Sequence, residues 1–318
     1  MNKFNTYLLG LICFFVFQNS FSQNVIRTTQ PDTIKRWKGK NIVGLDLTQV
    51  SFLNWNAGGE NSISGILKGA FIRKYTHKRF VWHNELIARY GLNKQDGREA
   101  RKTDDAIQLN STAGFKTDTI SNWYYSAKFN FNTQFTNGYA YPNTELAISK
   151  PFAPAYMFLG IGAEYINKDD GFKAYFSPLT QKTTFVLDQR LANQGAFGVD
   201  KAVYDASGNL IQEGRRTRTE LGILLTNQYK KEIFKNINLD HRLTLYSDYI
   251  NKFGNIDVDW QLQLDMVVNQ YVRASIATHL IYDDDIKSKE DVDGVQVTKG
   301  PKIQLKQILG VGLTYSFD

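Results

Sequence analysis

Hydrophobic and polar residues alternate one by one along most of this chain, and the clearest run is the segment from Leu309 to Phe317. Every second side chain in it is apolar or aromatic, and the side chains between are small or polar. A period of two predicts a β-strand with one apolar face. In a soluble protein that face would pack on a core, whereas in a membrane barrel it would contact lipid. A single strand therefore does not distinguish a soluble sheet from a membrane barrel.

The same alternation recurs in twelve segments, and together they favour the membrane barrel. Between Ser121 and Phe135, for example, Trp, Tyr, Ala and Phe occupy one face, while Ser, Lys, Asn and Gln dominate the other. This dyad pattern is typical of a barrel that is apolar outside and polar inside. The predicted strands are 42–53, 62–74, 80–91, 106–116, 122–138, 155–166, 171–180, 216–230, 235–250, 255–267, 271–283 and 301–317.

The lengths of the connections alternate as well. The even-numbered connections, at 75–79, 117–121, 167–170, 231–234 and 268–270, are short, and the long ones, at 92–105, 139–154, 181–215 and 284–300, are all odd-numbered. Short periplasmic turns and longer external loops are the arrangement of bacterial outer-membrane barrels. The sequence therefore predicts an all-β fold, a single transmembrane antiparallel up-and-down β-barrel of about twelve strands, over residues 41–318.

The first residues predict export to the cell envelope. Lys3 supplies a positive charge, Tyr7 to Phe17 is apolar, and small serines follow, so residues 1–22 are expected to be a cleaved signal peptide. Residues 23–40 show no strong alternation and are expected to form a periplasmic lead-in. The only cysteine, Cys13, lies in the apolar part, so the processed chain would have no disulfide and no thiol chemistry.

Composition and charge narrow the possible functions. The chain has 318 residues, 14 % aromatic residues and a formal net charge of +7. Its basic residues are scattered among acidic ones, whereas a nucleic-acid-binding protein gathers them on one face or in blocks. We therefore expect no nucleic-acid partner, and the anticipated contacts are outer-membrane lipid and a small solute of unknown identity.

Strand parity directs charged side chains of both signs into the barrel. The candidates to line the lumen are Lys128, Arg218, Glu220, Asp240, Arg242, Asp257, Asp259, Asp265, Arg273, Lys302 and Lys306. Such groups either pair into a network that closes the lumen or line a narrow wet passage. The three acids of the predicted tenth strand could neighbour Arg242 and Arg273 on the flanking strands and pair with them across the sheet. The alternative is that the three acids form a stripe that attracts cations.

Three hypotheses for function follow. The leading one is passage of a small solute through a narrow polar lumen, and the second is a closed barrel that acts through external loops 181–215 and 284–300. The third is a barrel hydrolase centred on His83 and Glu85, but no constellation of Ser, His and Asp accompanies this pair. We therefore expect a protein that is not an enzyme and has no catalytic residue.

A cluster of acids near the predicted eleventh strand is the only feature that invites a metal ion. Asp283, Asp284, Asp285, Asp291 and Asp293 lie close together in the sequence, with lysines among them. The spacing of a helix–loop calcium site is absent, and interleaved lysines favour a solvated loop. No metal site and no cofactor are expected.

A short motif early in the chain carries a resemblance to a known family. Trp55, Gly58, Gly59, Asn61 and Ser62 form the pattern Trp-x-x-Gly-Gly-x-Asn-Ser, and the runs Trp-His-Asn-Glu and Tyr-Gly follow it downstream. The pattern resembles an uncharacterised family of Bacteroidota outer-membrane proteins, a domain-of-unknown-function family. This resemblance implies the barrel fold and the outer membrane, and it brings no catalytic or ligand-binding residue. The two glycines also suit a tight connection between the first two strands.

The last strand resembles a signal for membrane assembly. Phe317 stands one residue before the end, with apolar residues at every second position behind it. An aromatic-terminated last strand is what the barrel-assembly machinery recognises, so this machinery is an expected partner through the C-terminal strand. The chain departs from the pattern because Asp318 follows the phenylalanine.

Overall fold

A computed structural model describes residues 36–51, 60–118, 120–251, 253–292 and 295–317. The strands are β1 (Trp37–Val50), β2 (Ser62–His77), β3 (Phe80–Gln95), β4 (Arg101–Lys116), β5 (Trp123–Thr133), β6 (Gly138–Tyr139), β7 (Ala147–Ser149), β8 (Ala155–Asn167), β9 (Phe172–Phe185), β10 (Val203–Tyr204), β11 (Leu210–Gln212), β12 (Thr217–Phe234), β13 (Ile237–Asp248), β14 (Asp257–Val267), β15 (Val272–Tyr282), β16 (Lys287–Val292), β17 (Val295–Pro301) and β18 (Gln304–Phe317). One helix, α1 (Gln189–Asn193), and a 3₁₀ turn (Ala196–Gly198) lie between β9 and β10.

Twelve of these strands close into one antiparallel barrel. Around the ring the order is β1, β18, β15, β14, β13, β12, β9, β8, β5, β4, β3 and β2. Each barrel strand pairs with the barrel strands before and after it along the chain, and β1 pairs with β18 to close the ring. The predicted all-β up-and-down barrel of about twelve strands is confirmed. The six other strands form three two-stranded sheets, β6–β7, β10–β11 and β16–β17.

The connections between barrel strands divide the molecule into two ends. At one end the turns are short, as between β2 and β3 at 78–79 and between β12 and β13 at 235–236. At the other end most of the connections are longer, and they carry α1, the 3₁₀ turn and the three small sheets. We call these the short-turn end and the long-loop end.

The first barrel strand begins earlier than the sequence indicates. β1 starts at Trp37, because residues 37–40 continue the ladder with β2 from Tyr75 to Ile72. Trp37 packs on the outside of the barrel, with its ring 5.1 Å from that of Tyr75 and 5.7 Å from that of Trp82. The last four residues of the expected lead-in, 37–40, therefore belong to the barrel. The rest of it, the expected signal peptide 1–22, and the motif residues Trp55, Gly58 and Gly59 lie outside the described residues.

Apolar side chains cover the outside of the barrel and remain exposed. The side chain of Leu309 is 71 % exposed and that of Leu67 is 62 % exposed, and the same face of β18 exposes Leu313 and Tyr315. Water-soluble proteins rarely leave so many apolar side chains uncovered, whereas a membrane barrel covers them with lipid. Among the described residues, no helix is both long enough and apolar enough to span a bilayer.

Strand β9 contains a proline and still runs to Phe185. The ladders with both neighbouring strands shift register beside residues 177–179, so Pro178 lies in a bulge where its missing N–H removes no ladder bond. The Ser177 hydroxyl donates to the Ile161 carbonyl oxygen at 2.8 Å and fastens the bulge. A Cβ on Gly162 would lie 2.0 Å from the Phe176 carbonyl oxygen, so only glycine permits this close approach. The strand therefore continues beyond its expected end at 180.

Candidate functional site in the lumen

A buried lysine occupies the lumen at the long-loop end. The Lys182 side chain is only 5 % exposed, and its Nζ lies 2.6 Å from Asp257, 3.2 Å from Asp283 and 3.6 Å from Glu220. The Tyr246 ring lies beneath the same ammonium, with its centroid 5.3 Å from Nζ. These groups come from β9, β12, β13, β14 and the connection after β15, which are neighbours along one side of the ring. We call Lys182, Glu220, Asp257 and Asp283 the mouth cluster.

Arg218 joins the mouth cluster to the longest external loop. Its guanidinium lies 2.6 Å from Asp285 and 3.2 Å from Glu220, and its Nη1 donates to the Gly198 carbonyl oxygen at 2.9 Å. Gly198 belongs to the loop between β9 and β12, whereas Asp285 belongs to the loop after β15. The adjoining cavity has a volume of about 20 Å³, which is room for a single water molecule. Paired charges therefore fill this side of the lumen.

The loop between β9 and β12 has a small apolar core of its own. Val186, Leu191, Ala192 and Val199 are buried together with Ala153 from the preceding loop. Packing of this kind fixes a loop by the same burial of apolar surface that stabilises a domain. The loop is therefore an ordered cover on one side of the mouth.

One contact crosses the barrel halfway along its length. Arg242 on β13 lies 3.6 Å from Glu85 on β3, and the two strands occupy opposite sides of the ring. Arg242 also pairs with Asp240 at 3.0 Å, and Asn110 donates to Glu85 at 3.3 Å. A side chain that reaches the opposite wall divides the bore, so this pair sets a limit on the width of the lumen.

Two further contacts join strands that are not neighbours. Lys306 on β18 lies 2.7 Å from Asp104 on β4, and Asp104 also accepts from Arg89 at 3.2 Å. Lys128 on β5 donates to the Thr226 hydroxyl on β12 at 3.0 Å. The barrel is thus crossed at several heights by polar side chains.

Most of the predicted lumen residues lie on the inward face. The residues in the contacts described above, or paired with a member of one, are Lys128, Arg218, Glu220, Asp240, Arg242, Asp257 and Lys306. Asp259 pairs with His279 at 3.0 Å, Asp265 accepts from Gln263 at 2.9 Å, and Arg273 stands opposite Gly312. Lys302 is exposed in the connection between β17 and β18. It does not line the lumen there, because β18 begins only at Gln304.

The expected partners of the acids on β14 are wrong. Asp257 pairs with Lys182 and Asp259 with His279, whereas Arg242 turns to Asp240 and Glu85. The sequence pattern places Lys182 in an external loop, because the alternation weakens at Pro178. The polar residues at 180, 182 and 184 nevertheless continue the inward face of β9, and they are the signal by which Lys182 can be identified.

The residues considered for hydrolysis and for metal binding form ordinary ion pairs and hydrogen bonds. Glu85, half of the hydrolase hypothesis, contacts Arg242 and Asn110. In the acidic loop after β15, which the sequence predicts to be solvated, Asp283 pairs with Lys182 and Asp285 pairs with Arg218. Within the described part of the chain, no group of His, Cys, Asp or Glu is arranged to hold a metal ion. Of the motif residues that the structure describes, Ser62 begins β2, and the Asn61 side chain donates to Asp96 at 2.7 Å.

Residues 47–139, less than half of the chain, match a family described as a protein of unknown function, DUF3078. No curated protein matches the chain. Among solved structures, the translocator domain of the autotransporter NalP from Neisseria meningitidis is similar with a TM-score of 0.39 and 10% identity, covering 99% of this chain and 95% of that one. An outer-membrane channel from Pseudomonas putida F1 has a TM-score of 0.40 and 10% identity, with 91% and 100% covered. The NanC porin has a TM-score of 0.34 and 10% identity, with 87% and 97% covered. These weak likenesses carry no argument about what the lumen does.

Proposed function

We propose that this chain is an outer-membrane β-barrel that passes small polar solutes through a narrow, wet lumen. The observation that carries the proposal is that charged side chains cross the lumen while water still reaches several of them. The Arg242 side chain is 32 % exposed and that of Lys306 is 41 % exposed, although both contact carboxylates. A polar interior with solvated charges is typical of barrels that conduct.

The outer surface of the barrel supports the outer membrane as its location. Exposed apolar side chains surround the barrel, and aromatic pairs such as Trp123 with Tyr165, at 5.2 Å, lie near the short-turn end. Aromatic rings at the edge of an apolar band anchor barrels at the lipid–water interface. With export through the signal peptide and assembly through β18, the short-turn end would face the periplasm. A place among Bacteroidota outer-membrane proteins is part of the same proposal.

The cross-lumen contacts define what the passage admits. The pair of Arg242 and Glu85 divides the bore near its middle, and the mouth cluster fills part of the long-loop end. A solute must therefore pass beside charged side chains of both signs. This arrangement favours small, hydrated, polar molecules over large or apolar ones.

Conductance across a planar bilayer tests the proposal. The refolded wild-type barrel is expected to give small, steady current steps, and Glu85→Ser should give larger steps because it removes the crossing side chain. The matched control is Glu60→Ser, since Glu60 forms an exposed ion pair with Arg98, at 3.4 Å, outside the barrel strands. A bilayer that stays sealed at all voltages with folded protein present would contradict passage.

The ordered loop favours a second function, a closed barrel that acts through its external loops. Arg218 and the buried apolar residues fix the loop between β9 and β12 against the mouth. In that case a cell expressing the barrel with residues 189–213 replaced by a short linker should lose partners that the intact barrel retains. Unchanged partners, together with a conducting wild-type barrel, would leave passage as the function.

A further inference from the structure

Three basic side chains and a histidine approach one another inside the short-turn end of the barrel. Lys38, Lys74 and His83 form one row across β1, β2 and β3, because Lys74 is the register partner of both other residues. Their strand neighbours Trp37, Tyr75 and Trp82 pack together on the outside. Since adjacent residues of a strand point to opposite faces, the row points into the lumen.

Lys173 approaches this row from the other side of the barrel. It lies on β9, next to Phe172, which packs on the outer face, and two residues before Tyr175, which is buried inside. β9 is not a neighbour of β1, β2 or β3 in the ring. Lys173 is nonetheless among the charges that act on both Lys74 and His83. The four side chains therefore face a common space, and we call Lys38, Lys74, His83 and Lys173 the lower basic group.

The lysines of this group lack the partners that cations inside a protein usually have. Among the described residues, Lys38, Lys74 and Lys173 form no ion pair with a carboxylate. Glu85 and Asp240 both contact Arg242. Glu164 on β8 stands opposite Tyr175, two residues from Lys173, and among the described residues it lies within ion-pair distance of neither Lys173 nor Lys74. Three other lysines, namely Lys168, Lys173 and Lys38, lie near enough for their charges to act on Lys74.

Such an arrangement is unfavourable without an anion. Like charges that stand directly opposite each other on neighbouring strands, as Lys38 and Lys74 do, destabilise a sheet. A bound oxyanion would accept hydrogen bonds from several ammonium groups at once, and charge-assisted bonds of this kind are the strong ones. The position near the end of the barrel lets an anion enter from the short-turn side without passing the mouth cluster.

We propose that the lower basic group is a binding site for a small oxyanion of the phosphate class. The inference deepens the proposed function, on which it rests for the view that a solute traversing the lumen reaches this site. Lys74 and Lys173 contact the anion from opposite walls, Lys38 adds charge at the rim, and His83 supplies a ring N–H. The binding itself does not require that the mouth cluster opens.

Calorimetric titration of the refolded full-length barrel with inorganic phosphate, at constant ionic strength maintained with chloride, tests the site. Lys74→Gln and Lys173→Gln should each weaken phosphate binding about tenfold, the effect of losing one charge-assisted contact. Lys74→Arg should retain binding because it keeps the charge. Folding of each variant is checked by its circular dichroism spectrum.

Lys68→Gln is the matched control. Lys68 lies on the same strand and face as Lys74, but it already forms an ion pair with Asp46 at 2.9 Å. Phosphate binding should therefore stay within about twofold of the wild type. An equal loss in Lys68→Gln, or absence of phosphate binding by the folded wild-type barrel, would overturn the site. A bilayer that stays sealed while the barrel still binds phosphate would overturn passage and leave the binding site standing. Conductance by a barrel that does not bind phosphate would overturn the binding site and leave passage standing.

Discussion

The two ends of the lumen differ in the charges that surround their lysines. At the long-loop end, Lys182 is almost fully buried and surrounded by three carboxylates from different elements. At the short-turn end, Lys74 stands opposite Lys38 in the ladder, and the charges of further lysines also act on it. The same side chain is thus part of a neutralised network at one end and part of a basic group at the other.

This difference separates a structural role from a binding role. A buried charge must be compensated by groups of the protein itself, because water cannot reach it. A charge near an open end is compensated by water and mobile ions, so it remains available to a ligand. We infer that the mouth cluster fixes the shape of the barrel and that the lower basic group meets the solute.

Removal of the buried lysine should have the largest effect on the stability of the barrel. Lys182→Met keeps the length of the side chain but leaves Glu220, Asp257 and Asp283 close together without a cation. Breaking a buried ion pair from one side typically costs about 3–5 kcal/mol. Guanidinium-induced unfolding of the refolded barrel should show a loss of this size, with a lower midpoint.

The control for this comparison is an exposed lysine of the barrel. Lys230 also contacts a carboxylate, Asp240 at 3.3 Å, but its side chain is 65 % exposed. Exposed pairs contribute at most about 1 kcal/mol, so Lys230→Met should scarcely move the unfolding midpoint. Equal losses in the two variants would show that burial does not distinguish the mouth cluster from an ordinary surface pair.

A smaller effect is expected in the loop that covers the mouth. Asp188 caps α1 by accepting from the Leu191 backbone N–H at 3.0 Å, and it pairs with Lys150 at 2.6 Å. Loss of such a cap costs about 1 kcal/mol, so Asp188→Ala should speed hydrogen exchange in residues 189–199. Asp188→Asn is the control that retains an acceptor oxygen, and it should lie between the wild type and the alanine variant.

The same carboxylate predicts a pH dependence. Burial raises the pKa of Asp188, but the hydrogen bonds from Lys150 and Leu191 lower it more, so the net pKa lies below the ordinary value. A carboxyl with a depressed folded-state pKa stabilises the fold above its unfolded pKa and loses that contribution as pH falls through the folded pKa. Loop protection should therefore be constant near neutrality and decline only in acid, and a decline that Asp188→Asn reproduces would point to another group.

The barrel could be predicted from the sequence because its signal is local. Alternation along Leu309 to Phe317 and eleven similar segments reports directly which side chains face lipid and which face the lumen. The limits of β1 and β9 are the exceptions. At Trp37 the alternation is carried by basic and aromatic residues alike, and at Pro178 a bulge interrupts it although the strand continues.

The ion-pair partners inside the lumen could not be predicted from the sequence. Alternation shows that a side chain points into the lumen, but it does not show which strand across the lumen that side chain reaches. Parity alone places Arg242 beside the acids of the next strand, but it reaches Glu85 on the opposite wall. Lys182 and Asp257 are 75 residues apart and lie on strands that are not adjacent. Such pairs depend on the diameter of the closed ring and on the length of the side chains. The alternation of residues within one strand gives no information about either.

The smallest effect, and the one most specific to the comparison, is expected at the lower basic group. Lys74→Gln removes a charge that stands opposite Lys38, so the folded barrel should be unchanged or more stable by a few tenths of a kcal/mol, the usual size of a cross-strand charge term. Because the repulsion is screened by ions, the gain should be largest at low ionic strength and should vanish in concentrated salt. Phosphate should reverse the order, since it stabilises only the protein that binds it, so the wild type should then become the more stable of the two. A loss of stability comparable to that of Lys182→Met, in the absence of phosphate, would mean that Lys74 is as fully compensated as the buried lysine and that the two ends of the lumen do not differ.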